Sequence, residues 1–195
     1  MNGPRKSGYI INDTKPTARK ILIVVDMQND FVSGSLGSPE AQAIVPNVVE
    51  KVKNWSGDVY FTRDTHFDNY MNSLEGKKLP VPHCIKDTNG WSIIPELNDY
   101  ACNRTELVTC KKIIDKYTFG YNEWVTHFAA CEEKEFELCG LCTDICVISN
   151  ALALRMFYPN AKITVDASCC AGVTPEKHAA ALEVMKSCQI DVINE

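Results

Sequence analysis

Apolar positions along the chain change period in a way that separates strands from helices. From Lys20 the run KILIVVD is almost continuously β-branched and ends in an acid, the pattern of a parallel strand buried on both faces. In VPNVVEKVKNW, Val45, Val48, Val49 and Val52 recur at helical spacing with Pro46 tolerated in the first turn, and the following DVYFT reads as a second strand. Beyond a long irregular stretch, ELVTCKKII gives a third strand region, YNEWVTHFAA a helix and EFELCG a fourth strand. TDICVISNALALRMF then reads as a helix, KITVDA as a strand, PEKHAAALEVMKS as a helix with Pro175 near its start, and QIDVI as the closing segment.

Strands alternating with helices imply a parallel sheet covered on both faces, with right-handed crossovers. The expected architecture is an open three-layer α/β fold of about six strands. Ligands of such sheets bind outside the carboxyl ends of the strands. The candidates are therefore Asp26 after the first strand, Asp64 and His66 after the second, and the segment CGLCTDIC after the fourth. Residues 1–19 mix Gly, Pro, Asn and charges without a sustained period and read as an N-terminal extension, leaving 20–195 as one domain.

Composition narrows the classes of function. Hydrophobic residues make up 45% and charged residues 23%, as in ordinary globular proteins. A net charge of -5 offers no basic footprint for nucleic acid or an anionic membrane surface. The longest apolar stretch, Ile21 to Val25, is too short to span a bilayer, and no signal region opens the chain, so a cytoplasmic location is expected. Ten cysteines suggest a disulfide scaffold only in short secreted chains, so reduced thiols are expected here. Cys110, Cys139 and Cys188 lie in or beside apolar segments, where cysteine behaves as a small buried hydrophobe.

Cys146 falls in the first turns of the helix opening around Thr143 and Asp144, where the helix dipole and unpaired N–H groups favour a thiolate and can hold an oxyanion. On position alone, a buried helix cysteine facing the sheet is the stronger alternative. Asp64 and His66, two apart on an extended segment, point the same way, and His83 can complete a mixed oxygen and nitrogen site for zinc, iron or manganese. The plainer alternative is a loop cap and a hydrogen-bonded loop histidine. Cys139-Gly-Leu-Cys142 also has the spacing of thiol–disulfide motifs, and with Cys169 and Cys170 suggests structural zinc, although adjacent cysteines share a tetrahedral site poorly.

Asp26 within VVDMQNDF, Asp64 and His66 within FTRDTH, His83 within PHC, Cys146 within GLCTDICV and the segment DASCCAG resemble the isochorismatase-like cysteine hydrolases, and within them the nicotinamidases. The resemblance runs from about Lys20 to the end. It implies a Cys146 nucleophile, Asp26 as acid/base, and a cis Leu141–Cys142 peptide aiming the N–H groups of Cys142 and Cys146 at an oxyanion. It also implies a triad lysine, Lys116, placed by the following Phe119 and Gly120, with Lys111 and Lys112 as rivals. Retention of Asp26, Lys116 and Cys146 together counts against a non-catalytic binding member of the fold.

The metal set implied is Asp64, His66, His83 and Glu75, with Asp68 competing for the last place. His127 and His178, on expected helices, read as structural or solvent-facing. One departure concerns the substrate: nicotinamidases often carry Trp three residues before the metal histidine, where this chain has Pro80, so ring contacts fall to Phe31 or Phe119. The implied function is hydrolysis of a small amide, nicotinamide first, by a homo-oligomer holding one divalent transition metal, zinc foremost, within NAD salvage. The alternative inside the family is an isochorismatase-type hydrolase that uses no such metal.

Overall fold

Five consecutive residues, Ile21 to Val25, are fully buried, which requires the first strand to have a strand on either side and helices on both faces. The computed structural model describes residues 18–102, 113–128 and 134–195. Among them, strands β1 (Arg19–Val25), β2 (Asp58–Asp64), β3 (Ile113–Lys116), β4 (Lys134–Leu141), β5 (Lys162–Ala171) and β6 (Asp191–Ile193) form one parallel sheet. Its order is β3-β2-β1-β4-β5-β6. The chain builds outward from β1 to β3, then returns to place β4 against the other side of β1. The strand order reverses between β1 and β4, and a crevice opens at such a point beyond the carboxyl ends.

The helices fall into two groups. Helices α1 (Asn29–Val32), α2 (Pro39–Ala43), α3 (Val45–Asn54), α4 (Leu74–Lys78) and α5 (Pro95–Cys102) precede β3, and α2, α3 and α5 form a packed series. Helices α6 (Trp124–His127), α7 (Ile148–Phe157) and α8 (Pro175–Ser187) follow it and pack in series. Val48 and Val52 of α3 are buried, and Val45 and Val49 pack half-buried against the same core, as their spacing predicts. Ser38, Ser73 and Thr174 cap α2, α4 and α8 with side-chain oxygens that accept from backbone N–H groups.

Three expectations are corrected. The stretch after β2 is not irregular throughout: it holds α4 and α5, the first started by the Ser73 cap rather than by an apolar stripe. The helix expected over 121–130 is a single turn, Trp124–His127, among the described residues. The helix expected from Thr143 opens instead as a π turn, Thr143–Val147, in which Val147 N–H reaches back to Cys142 O at 3.1 Å, before α7 begins at Ile148. Residues 1–17, most of the extension, and residues 106–112 of the third strand region lie outside the described residues, as do Cys110 and the rival lysines Lys111 and Lys112.

Gly140 fixes how closely β4 meets β1. Its φ is +118°, and an added Cβ would sit 2.1 Å from Val25 O. Neither the dihedral nor the space admits a side chain. Gly140→Ala is expected to cost about 3 kcal/mol or more of stability, read as a lower urea midpoint with an unchanged slope. A midpoint equal to that of the parent would contradict the packing described.

Candidate active site

Four consecutive strand ends deliver the reactive groups. Asp26 follows β1, Asp64 closes β2, Lys116 closes β3 in direct register with Asp64, and the chain leaving β4 enters the π turn that carries Cys146. Asp26 is held at φ +49°, a left-handed conformation that costs a non-glycine residue about 1–3 kcal/mol. Its carboxylate Oδ2 lies 2.6 Å from Lys116 Nζ, and its Oδ1 accepts from Thr62 Oγ1 at 2.7 Å. Lys116 Nζ also stands 3.5 Å from Cys146 Sγ and 3.4 Å from Asp64 Oδ1. All of these side chains are buried.

Burial dominates the electrostatics. It pushes the Cys146 thiol well above its ordinary value, Lys116 opposing it and the nearby Asp26 and Asp64 carboxylates reinforcing it. Burial thus works against the lowering of the thiol's pKa that a helix start favours. Burial likewise raises the Asp26 carboxyl against the pull of Lys116, the direction that suits a proton acceptor. On Lys116, burial works against the charge, but Asp26, Cys146 and Asp64 together hold the ammonium well above its usual range.

Next to this triad, Asp64, His66, Glu75 and His83 each present one ligand atom, all within 4.8 Å of one another. His66 Nε2 lies 2.9 Å from Asp64 Oδ2 and 3.6 Å from Glu75 Oε1; His83 Nε2 lies 3.6 and 3.7 Å from the same two oxygens. His66 Nε2 is buried and, though it faces the Asp64 and Glu75 carboxylates, lacks a hydrogen bond of good geometry, which suits a metal ligand. His83 directs Nδ1 at Val81 O, 2.8 Å away, which leaves Nε2 for a ligand role. Two imidazoles and two carboxylates fit a divalent transition ion. Asp68 is exposed and outside the group, so Glu75 completes the set.

Cys146 of the triad and Asp64, Glu75 and His83 of the donor set line one cavity of about 690 Å³, together with Phe31, Phe119, Leu74, Leu79, Ile145 and Val173. Phe31 packs its ring 5.5 Å from that of His83. Pro80 is absent from the lining, and Tyr117 joins it, so the aromatic surface comes from Phe31, Phe119 and Tyr117. The Leu141–Cys142 peptide is cis, as the resemblance implies.

The isochorismatase domain family matches residues 20–195. The chain belongs to the isochorismatase family. It is 26% identical over 211 residues to the nicotinamidase of Schizosaccharomyces pombe, covering 89% of this chain and 92% of that protein. It is also 26% identical to the nicotinamidase/pyrazinamidase of Mycobacterium tuberculosis, over 89% of this chain and 98% of the other. The crystal structure of the pyrazinamidase of Pyrococcus horikoshii in complex with zinc superposes with a TM-score of 0.73 at 25% identity, covering 91% of this chain and 99% of that one.

Within this isochorismatase-family site, several side chains escaped the sequence reading. Thr62 pins Asp26 from the neighbouring strand. Gln28 clamps the Asp64 peptide from both sides, accepting from Asp64 N–H at 2.7 Å and donating to Asp64 O at 2.9 Å. Asp30 accepts from Cys84 N–H at 2.8 Å and so fixes the segment bearing His83. Asn150, one turn beyond Cys146, donates to Cys146 O at 2.8 Å and to Phe119 O at 3.2 Å, tying the thiol's turn to the cavity wall. Polar residues inside apolar runs were the available signal. His178 is hydrogen-bonded with Thr143 at 2.8 Å, and His127 packs among Tyr60, Trp124 and Phe128, both structural positions as expected.

The remaining described cysteines differ from Cys146 in their surroundings. Those among the described residues are free thiols. Cys139 is sealed in the sheet with its thiol driven well up by burial, and burial pushes Cys142 up to about 12. Cys188 is half-buried, less enclosed than its apolar surroundings suggest. Among the described residues no helix is long and apolar enough to cross a membrane.

Proposed function

We propose that the chain hydrolyses nicotinamide, or a close aromatic amide, to the acid and ammonia through a thioester on Cys146. The observation carrying this reading is the placement of Lys116 Nζ against Asp26, Cys146 and Asp64 at once, which joins a nucleophile–base pair to a metal-type donor set in one cavity. Asp26 accepts the thiol proton as the sulfur attacks the amide carbonyl. The N–H groups of Cys142 and Cys146 are assigned to the oxygen on which charge develops, where one donor is worth roughly 3 to 4 kcal/mol in comparable sites. Collapse breaks the C–N bond, and Asp26 returns its proton to the departing ammonia. Water then attacks the thioester, with Asp26 taking its proton, and the acid leaves as the thiol is restored.

Asp64, His66, Glu75 and His83 would hold one divalent ion, zinc first and iron or manganese as alternatives. When bound, it supplies a Lewis-acid contact for a ring nitrogen and so orients the substrate. Phe31 and Phe119 are assigned to the flat faces of the ring. The metal-independent isochorismatase reading leaves this donor set without a purpose. We place the catalytic domain at 20–195, with residues 1–19 as its extension, in a cytoplasmic homo-oligomer.

The test is ammonia release from nicotinamide and pyrazinamide by metal-replete protein with a Cys146→Ala control. No release from either would sink the substrate assignment while leaving the triad assignment open to other amides. Elemental analysis should find about one divalent ion per chain, and His83→Ala should weaken its retention by about 10-fold or more. Full activity after exhaustive chelation, with the metal shown to be gone, would refute the metal's role.

A further inference from the structure

We propose that the natural substrate of this site carries an apolar substituent on its aromatic ring. The inference rests on the amidase reading above. It starts from a mismatch of size: the cavity measures about 690 Å³. Even at a water's share of about 30 Å³ for every heavy atom, a one-ring amide fills less than half of that space.

The lining is divided along its depth. The groups that bind or react, Cys146, Asp64 and His83, are nearly sealed from solvent at the inner end. The outer part is framed by Leu74, Leu79, Tyr117 and Val173, which line the same cavity and are 70%, 39%, 60% and 49% exposed, together with the exposed Lys78 and Lys177. Single exposed apolar side chains are ordinary, but their convergence on one mouth marks a surface to be covered by a ligand. A pyridine ring held between the thiol and the donor set stays at the inner end and leaves this collar in water.

The collar and Cys146 line the same cavity, so whatever covers the collar during turnover must leave the thiol reachable. A group attached to the substrate meets that condition, whereas a second protein copy seated on the mouth would close it. Pro80 fits the same picture, since the residue standing where an aromatic is frequent is absent from the lining, where Leu74, Leu79, Val173 and Tyr117 are present. Apolar contacts there strengthen with each methylene covered.

The test uses the full-length, metal-replete protein with nicotinamide and its butyl and phenyl derivatives at ring carbon 5 or 6. Two readouts are taken: kcat/KM from ammonia release, and Kd by calorimetry with the Cys146→Ala variant. At least one derivative should bind about 10-fold more tightly and be hydrolysed with about 10-fold higher kcat/KM than nicotinamide. Leu79→Asp and Val173→Asp should each bring that ratio towards one. Nicotinamide hydrolysed with no derivative favoured overturns the inference and leaves the amidase reading intact. A preference that survives both substitutions overturns the assignment of the collar. No turnover of any of these amides overturns the inference together with the reading on which it rests.

Discussion

Cys146→Ala is expected to lower kcat for amide hydrolysis by about 10⁴-fold or more, because the proposed mechanism makes its sulfur the attacking atom. The rival thiols of the cavity region differ in kind: Cys139 is closed off in β4, and Cys142 stands at the strand exit, while Cys146 alone lies beside Lys116. The fold should survive the change. Only a sulfur is removed from a turn already tied down by Asn150 through Cys146 O, so a loss of about 1 kcal/mol, or about 2–4 °C in the thermal midpoint, is the scale to expect. Ammonia release and a thermal melt on the same preparation separate the two effects. An alanine variant that is stable and still active would remove Cys146 from the mechanism.

The parts of this molecule that were legible in sequence are those fixed by local pattern. Continuous β-branched runs give buried parallel strands, and a strand ending in Asp26 or Asp64 places its acid at the sheet's ligand-binding edge whatever the intervening loops do. The motif residues Asp26, Asp64, His66, His83 and Cys146 are accordingly brought together. Helices α4 and α5 were illegible because neither carries a long apolar period; a Ser73 cap and burial of Leu97 and Ala101 against the rest of the fold define them. The upward push of burial on the Cys146 thiol is illegible along the chain for a related reason. A helix start acts locally on a thiol, but the enclosure that outweighs it is built from other strands and is invisible along the chain. Thr62, Gln28 and Asn150 carry no motif chemistry of their own, and their importance arises only once tertiary packing sets their partners.

Lys116→Met should be the more damaging substitution, since it removes activity and stability together. The methionine fills most of the same space, but it leaves Asp26 buried without its cation and takes one positive charge away from Asp64. Breaking a buried pair by removing one partner costs about 3–5 kcal/mol. The pH dependence follows from the direction of the Asp26 shift. A carboxyl whose folded-state pKa lies above its unfolded value of 3.8 binds more protons when folded, so its contribution falls as pH rises through that window and recovers as pH falls. In the parent, Lys116 restrains the upward push of burial; without it the window widens towards neutrality. The variant should therefore gain thermal stability on acidification from about pH 8 to about pH 5 more steeply than the parent does. Its hydrolysis rate should fall by about 10³-fold or more, because the base and the developing thiolate both lose the cation that favours their charged forms. Melting curves across that range together with ammonia release give both numbers. A normal rate in Lys116→Met, with loss instead in Lys112→Ala, would transfer the triad role to the earlier lysine, and a melting profile parallel to that of the parent would show that Asp26 does not depend on Lys116.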